Sequence, residues 1–200
     1  MAVYFVVRSI RADHARTVCL RSARAQFREL MRELSACKGS IDRFDSELLP
    51  DTQNVDDAVR ALETFGVEDG SGDAGAASAA LGKAVELSEM SKFANEELTR
   101  LMEKVDGVEP AQVLVAAGLD PWAEHEEAAR KDAVRSGLGP ALEMAKDARA
   151  IRKGLIRKLT RRGDALDALA KKLGAAMTEL EQRVRGTREA LASASAAAAT

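Results

Sequence analysis

Apolar and polar positions alternate along this chain with the period of α-helices, most clearly from Leu138 to Leu191. The second half of that stretch carries a heptad. Leu166, Leu173, Leu180 and Thr187 recur every seven residues, and Ala170, Met177, Val184 and Leu191 form a second row offset by four. Rows spaced four and three apart make an a/d seam, which lets one helix lie against another in a shallow left-handed supercoil. The stretch therefore predicts two long helices, a basic one and a heptad-bearing one, with Gly163 at their junction.

Upstream, Val18, Phe27, Leu30, Met31 and Leu34 keep helical spacing through to Phe44, so a long helix is expected there. Gly39-Ser40 weakens it and Pro50 ends it. Asp51 or Asn54 can cap a second, short helix with Val55, Val59, Leu62 and Phe65 on one face. Gly66 to Gly75 reads as a flexible loop. A third helix is expected from about Ala76 to Val105, with Leu81, Val85, Leu87, Met90, Phe93, Leu98, Leu101 and Met102 as its apolar stripe. Pro110 opens a short helix that Gly118 stops. Asp120-Pro121-Trp122 reads as another helix start, with Asp as N-cap and Pro at the first helical position. No strand pattern survives, since Val3–Val7 has no candidate partner. The expected fold class is all-α, an elongated antiparallel helical bundle or coiled coil. Residues 1–17 form an apolar, Arg-rich segment of amphipathic or targeting type, 18–192 the bundle, and 193–200 a disordered Ala/Ser tail.

Composition agrees with long helices: 31% of residues are charged and only 4% aromatic, too few to anchor a compact aromatic core. The net charge of −2 hides an asymmetry. Arg8–Lys38 carries eight basic and three acidic residues, Asp42–Asp132 eight and 22, and the rest 14 and seven. Two basic arms thus flank an acidic middle, which favours pairing between segments or between chains and leaves basic faces for anionic partners. Cys19 and Cys37 make neither a disulfide framework nor a zinc site, so a reducing compartment is expected. No apolar run approaches the ~20 residues that span a bilayer. The Arg-rich start also fits a mitochondrial transit peptide, although its helical spacing continues well past Arg32.

Candidate chemistry is sparse. Gly70-Ser71-Gly72-Asp73-Ala74-Gly75 matches G-x-G-x-x-G in form, but a helix end precedes it where a dinucleotide site needs a buried strand. Gly82-Lys83 is followed by Ala84, without the hydroxyl that a P-loop offers to magnesium. His125 stands in Glu124-His125-Glu126-Glu127, which lacks the second His of H-E-x-x-H, and His14 is far away. There is no G-x-S-x-G, and pairs such as Glu96-Glu97 point apart on a helix. The expectation is a protein with no catalysis, metal or cofactor.

The basic helix is the sharper signal. Between Lys146 and Lys172 ten residues are basic and three acidic. Arg149, Arg152, Lys153, Arg157, Lys158, Arg161 and Arg162 are its candidate contacts. Either they form a solvated face paired to the acidic middle, or they meet an anionic surface at ~1 kcal/mol per residue. Nucleic acid is disfavoured. No aromatic interleaves the cations for stacking, and Gly163, Asp164 and Asp167 break the continuity that a basic zipper needs. Asp120-Pro121-Trp122 also resembles the short D-P-F/W peptides offered to clathrin-adaptor appendages.

In order of features the chain resembles the BAR domain of the sorting-nexin type. The likeness lies in Ala58-Val59-Arg60-Ala61-Leu62-Glu63-Thr64-Phe65-Gly66, the acidic glycine-rich interruption, Leu81-Gly82-Lys83-Ala84, and Leu142–Lys172 with its Arg161-Arg162-Gly163-Asp164-Ala165-Leu166 point. That resemblance implies a homodimer, or a coiled-coil heteromer, whose basic surface meets anionic, phosphoinositide-bearing membrane and senses or shapes curvature in vesicle traffic and endosomal protein transport. It would sit in the cytoplasm, peripheral to endosomes. Leu166, Ala170, Leu173, Met177, Leu180, Val184 and Leu191 would be the dimer seam. The rival expectation is a structural helical subunit of a larger assembly, mitochondrial if the Arg-rich start is a leader. A weaker one is a helical protein that binds nucleic acid.

Overall fold

A computed structural model describes residues 2–64, 74–123 and 125–198, and side chains within 7–64, 78–123 and 125–186 together with Glu189. It holds helices α1 (Ala2–Glu47), α2 (Thr52–Thr64), α3 (Ala74–Asp106), α4 (Gln112–Ala116), α5 (Glu127–Arg135) and α6 (Gly139–Ala198). Among the described residues there is no strand, so the chain is all-α. Phe65, most of the glycine-rich loop and Glu124 lie outside the described residues, as do the side chains of Thr187 and Leu191.

The chain divides into two compact units, residues 1–42 with 100–159, and residues 43–99 with 160–200. In the first unit α1 buries Ala23, Leu30, Leu34, Cys37 and Ile41, while Phe27 and Met31 are half-buried and Val18 is exposed. From the other side of the chain α6 buries Ala141, Ala145, Ala148, Leu155 and Leu159. Turns between α3 and α6 are closed by backbone chemistry. Gly118 adopts φ +73°, and Leu119 N–H donates to Leu114 O at 2.9 Å. Gly137 adopts φ +78°, with Leu138 N–H donating to Ala133 O at 2.8 Å. Both are helix ends in which a left-handed glycine satisfies the last carbonyls. Asp120 does form its cap, Trp122 N–H donating to Oδ1 at 2.7 Å, but only a turn follows and α5 waits until Glu127. The local bond is an Asx turn, which closes without committing the chain to a helix.

In the second unit α2 starts as its sequence suggests, Gln53 N–H donating to Asp51 Oδ1 at 3.0 Å. Its Val55, Ala58, Val59 and Leu62 pack with Ala84 and Leu87 of α3 and with Leu169, Leu173, Ala176 and Leu180 of α6. Ser91 is 3% exposed, and its hydroxyl donates to Leu87 O at 2.9 Å, so this buried polar group is satisfied by its own helix.

Three further expectations change. The junction at Gly163 is absent: α6 runs unbroken from Gly139 to Ala198, through Gly154, Gly163, Gly174 and Gly186 and into the Ala/Ser run. A lone glycine costs a helix ~1 kcal/mol, which packing on both sides outweighs. At Gly163 the missing side chain is also used, because a Cβ there would lie 3.2 Å from Leu98 Cδ2. The seam changes register. Leu166, Leu173 and Leu180 are buried inside the chain, but Leu169 and Ala176 alternate with them, leaving Ala170 exposed, Met177 half-buried and Val184 exposed. The stripe of α3 changes likewise. Ala84, Leu87, Ser91, Ala94, Leu98, Leu101 and Val105 are buried at strict three-four spacing, whereas Leu81, Val85, Met90 and Phe93 are exposed. Small residues on the buried line let helix backbones approach closely, so residue size misdirects the reading of the face.

These environments predict opposite outcomes at two glycines. In urea unfolding Gly154→Ala, with nothing within 4 Å of its new Cβ, gains about 0.5–1 kcal/mol. Gly163→Leu loses about 1–3 kcal/mol, because it forces Leu98 aside.

Candidate functional site

The seven basic residues expected to act as one face are divided by α6 between two duties. Arg152 falls on the buried line itself, three and four residues from Leu155 and Ala148. Its guanidinium donates to Val105 O at 3.0 Å, Asp106 O at 3.1 Å and Asp106 Oδ1 at 2.8 Å. Those carbonyls end α3 and have no intrahelical donor, so Arg152 caps that helix and answers its negative dipole end. In the other unit Arg183 does the same for α2, donating to Glu63 O at 2.7 Å.

Arg162 also falls on the buried line, three and four residues from Leu159 and Leu166, and Lys158 lies at its edge. Lys158 Nζ lies 2.9 Å from Asp42 Oδ1, and Lys38 Nζ lies 2.9 Å from Asp42 Oδ2. Hydrogen bonds from Lys38 first and Lys158 second hold the Asp42 carboxyl below the usual carboxylate range. Arg162 grips Asp45 with both ends of its fork, Nε to Oδ1 at 2.9 Å and Nη2 to Oδ2 at 3.2 Å. Asp45 is only 20% exposed, so this bidentate pair works in partly desolvated surroundings. Lys172 reaches Asp56 at 2.7 Å in the same unit. Arginines and lysines of α6 thus answer acids of α1, α2 and α3, the segment pairing that the charge asymmetry implied.

Three of the remaining four face water. Lys153 and Arg157 in the first unit and Arg161 in the second are exposed and form no ion pair with a described residue. On a 3.6-residue helix Lys153 and Arg157 lie one turn apart, on the side away from Ala148 and Leu155. Arg149 is half-buried and lines an open pocket of 290 Å³ with Val108, Pro110, Pro121, Trp122 and His125. The Trp122 and His125 rings are 6.0 Å apart at 45°, and Trp122 is 67% exposed. Asp120 folds the Pro121-Trp122 wall into the Asx turn, so these residues are part of an ordered unit, whereas the D-P-F/W peptides they resemble work in disordered segments.

Cys37 is buried in the core, and that burial raises its thiol and disfavours the thiolate. No cluster of three or more His, Cys, Asp or Glu suited to a metal ion occurs among the described residues, and no described helix is long and apolar enough to cross a membrane. Sequence reasoning missed an exposed arginine row on α1, comprising Arg21, Arg24, Arg28 and Arg32. Its three- and four-residue spacing is the signal in the sequence, one that an Arg-rich leader shares. No family model, curated protein or solved structure matches this chain.

The division of duties is measurable by stability. Arg162→Met lowers unfolding free energy by about 1–2 kcal/mol, since it takes both guanidinium bonds from a partly buried carboxylate, while Arg157→Met changes it by less than about 0.5 kcal/mol. Asp42 supplies a pH test. A carboxyl held low in the folded state stabilises above its unfolded value of 3.8, and that contribution fades as pH falls through the lower folded value. Titrating the Asp42 carboxyl by NMR, Lys158→Met and Lys38→Met each move it up towards 3.8, Lys38→Met by more.

Proposed function

We propose that this chain is a non-catalytic helical scaffold that associates with anionic membrane through a basic helix face. The observation that supports this reading is the pair Lys153 and Arg157. They stay in water on α6 while their neighbours Arg152 and Lys158 are bonded within the chain. Cations without an internal partner keep their full attraction for lipid phosphates, at roughly 1 kcal/mol per residue near an anionic leaflet. The finer BAR-like reading, an elongated antiparallel bundle that dimerises, senses curvature and works at endosomes, belongs to the same proposal. A dimer would need contacts other than Leu166, Leu173 and Leu180, which are buried in the single chain.

A second reading, a structural subunit of a larger helical assembly, is favoured by a different surface. In the second unit Leu81, Val85 and Val184 are exposed, and Leu81 and Val184 border an open groove of 340 Å³ with Leu180, Glu181 and Arg185.

Liposome co-sedimentation tests the first reading. Wild type should pellet with phosphatidylserine vesicles and stay soluble with phosphatidylcholine alone. Lys153→Glu/Arg157→Glu should lose most of that binding while melting as wild type does. Lys158 is left intact because its loss would disturb Asp42 as well. Failure of wild type to pellet with either vesicle would remove the membrane reading and leave the assembly reading.

A further inference from the structure

Every described side chain from Val7 to Val18 is exposed, and among the described residues of α1 the first that is fully buried is Ala23. An isolated helix of this length is marginal in water, because most helical stability comes from burying an apolar face. Here the apolar residues are present but uncovered: Val7 is 42% exposed, Ile10 62% and Val18 50%. At 100° per residue they share about a third of the helix circumference with Arg21, Arg24 and Arg28, opposite Ala23, Leu30 and Leu34. Arg11 borders that arc. The one acid before Glu29 is Asp13, paired with Arg16 at 2.7 Å.

We infer that residues 7–28 of α1 form an interfacial membrane contact, in which Val7, Ile10 and Val18 enter an anionic leaflet while Arg11, Arg21, Arg24 and Arg28 hold its phosphates. This rests on the membrane reading above and adds the element that enters the bilayer. Aliphatic side chains flanked by cations on one helical face suit the boundary between headgroups and acyl chains. Nucleic acid would call for planar side chains among the arginines, whereas Val and Ile give bases nothing to stack on. A second copy docked on the same face would set arginine rows of like charge against each other.

The test uses the full chain with Trp122→Phe, so that Ile10→Trp supplies its single tryptophan. Phosphatidylserine vesicles should shift the emission of that indole to the blue, and phosphatidylcholine vesicles should not. Val7→Asp/Ile10→Asp/Val18→Asp should cut partitioning into phosphatidylserine vesicles about tenfold or more. Replacing Arg21, Arg24 and Arg28 by Gln should cost roughly fivefold for each residue. Helicity from Ala23 onward and the melting temperature should stay as in wild type, because none of the altered side chains is buried. Two results overturn the inference while leaving the α6 reading intact. One is binding of the triple-Asp variant at wild-type strength; the other is unshifted emission from the Ile10→Trp chain on vesicles that do bind it. Loss of binding in the α1 variants but not in Lys153→Glu/Arg157→Glu upholds it and moves the membrane surface to α1. Capture of this helix by RNA or duplex DNA that vesicles fail to displace would overturn it in favour of nucleic acid.

Discussion

A narrow line of apolar residues at three-four spacing is the constraint on which each unit depends. On α6 it reads Ala141, Ala145, Ala148, Leu155, Leu159 and then Leu166, Leu169, Leu173, Ala176, Leu180. On α3 it reads Ala84, Leu87, Ser91, Ala94, Leu98, Leu101, Val105. Alanine, serine and glycine are frequent on these lines and at their edges, so the helices are held by close approach as well as by large side chains. Close approach is sensitive to volume. Gly163 against Leu98 shows how little room remains where the lines meet.

A line that narrow leaves most of every helix in water, and the charges must then be arranged. Part of the arrangement is structural. Arg152 and Arg183 satisfy the carbonyl ends of α3 and α2, and Arg162 and Lys172 answer Asp45 and Asp56. These bonds lie on the apolar line or at its edge, and the Arg162–Asp45 pair gains most from partial desolvation. The cations farther round the helix, Lys153 and Arg157, meet solvent. Position relative to the buried line, rather than local density of charge, therefore separates the basic residues that hold the fold from those open to a ligand. The same rule applied to α1 distinguishes its packed half from the exposed stretch Val7–Val18.

The two residue types most often recruited for chemistry follow the same division. His125 stands beside the exposed Trp122, away from the buried line, and Cys37 is drawn into the core, where burial disfavours its thiolate. The surface that the helices present is charged and aliphatic, and such surface on rigid elements is suited to contact.

Much of the architecture was legible in the chain itself, because helical period, proline and glycine stops and capping residues are local. The all-α class, the cap at Asp51, the helix end before Pro50, and the bounds of α3 to within a few residues all come from interactions within a few positions of each residue. Leu166, Leu173 and Leu180 were legible as a buried row for the same reason. Tertiary structure alone decided which second row joins them. Leu169 and Ala176 differ from Ala170 and Met177 by one position, and both registers satisfy a heptad until neighbouring helices cover one of them. It also decided that Gly163 is a point of contact rather than a break, since only Leu98 on another helix gives the missing side chain a use. The fate of each arginine was settled the same way. Arg157, Lys158 and Arg162 look alike in sequence, and carboxylates more than 100 positions away determine which of them are already engaged.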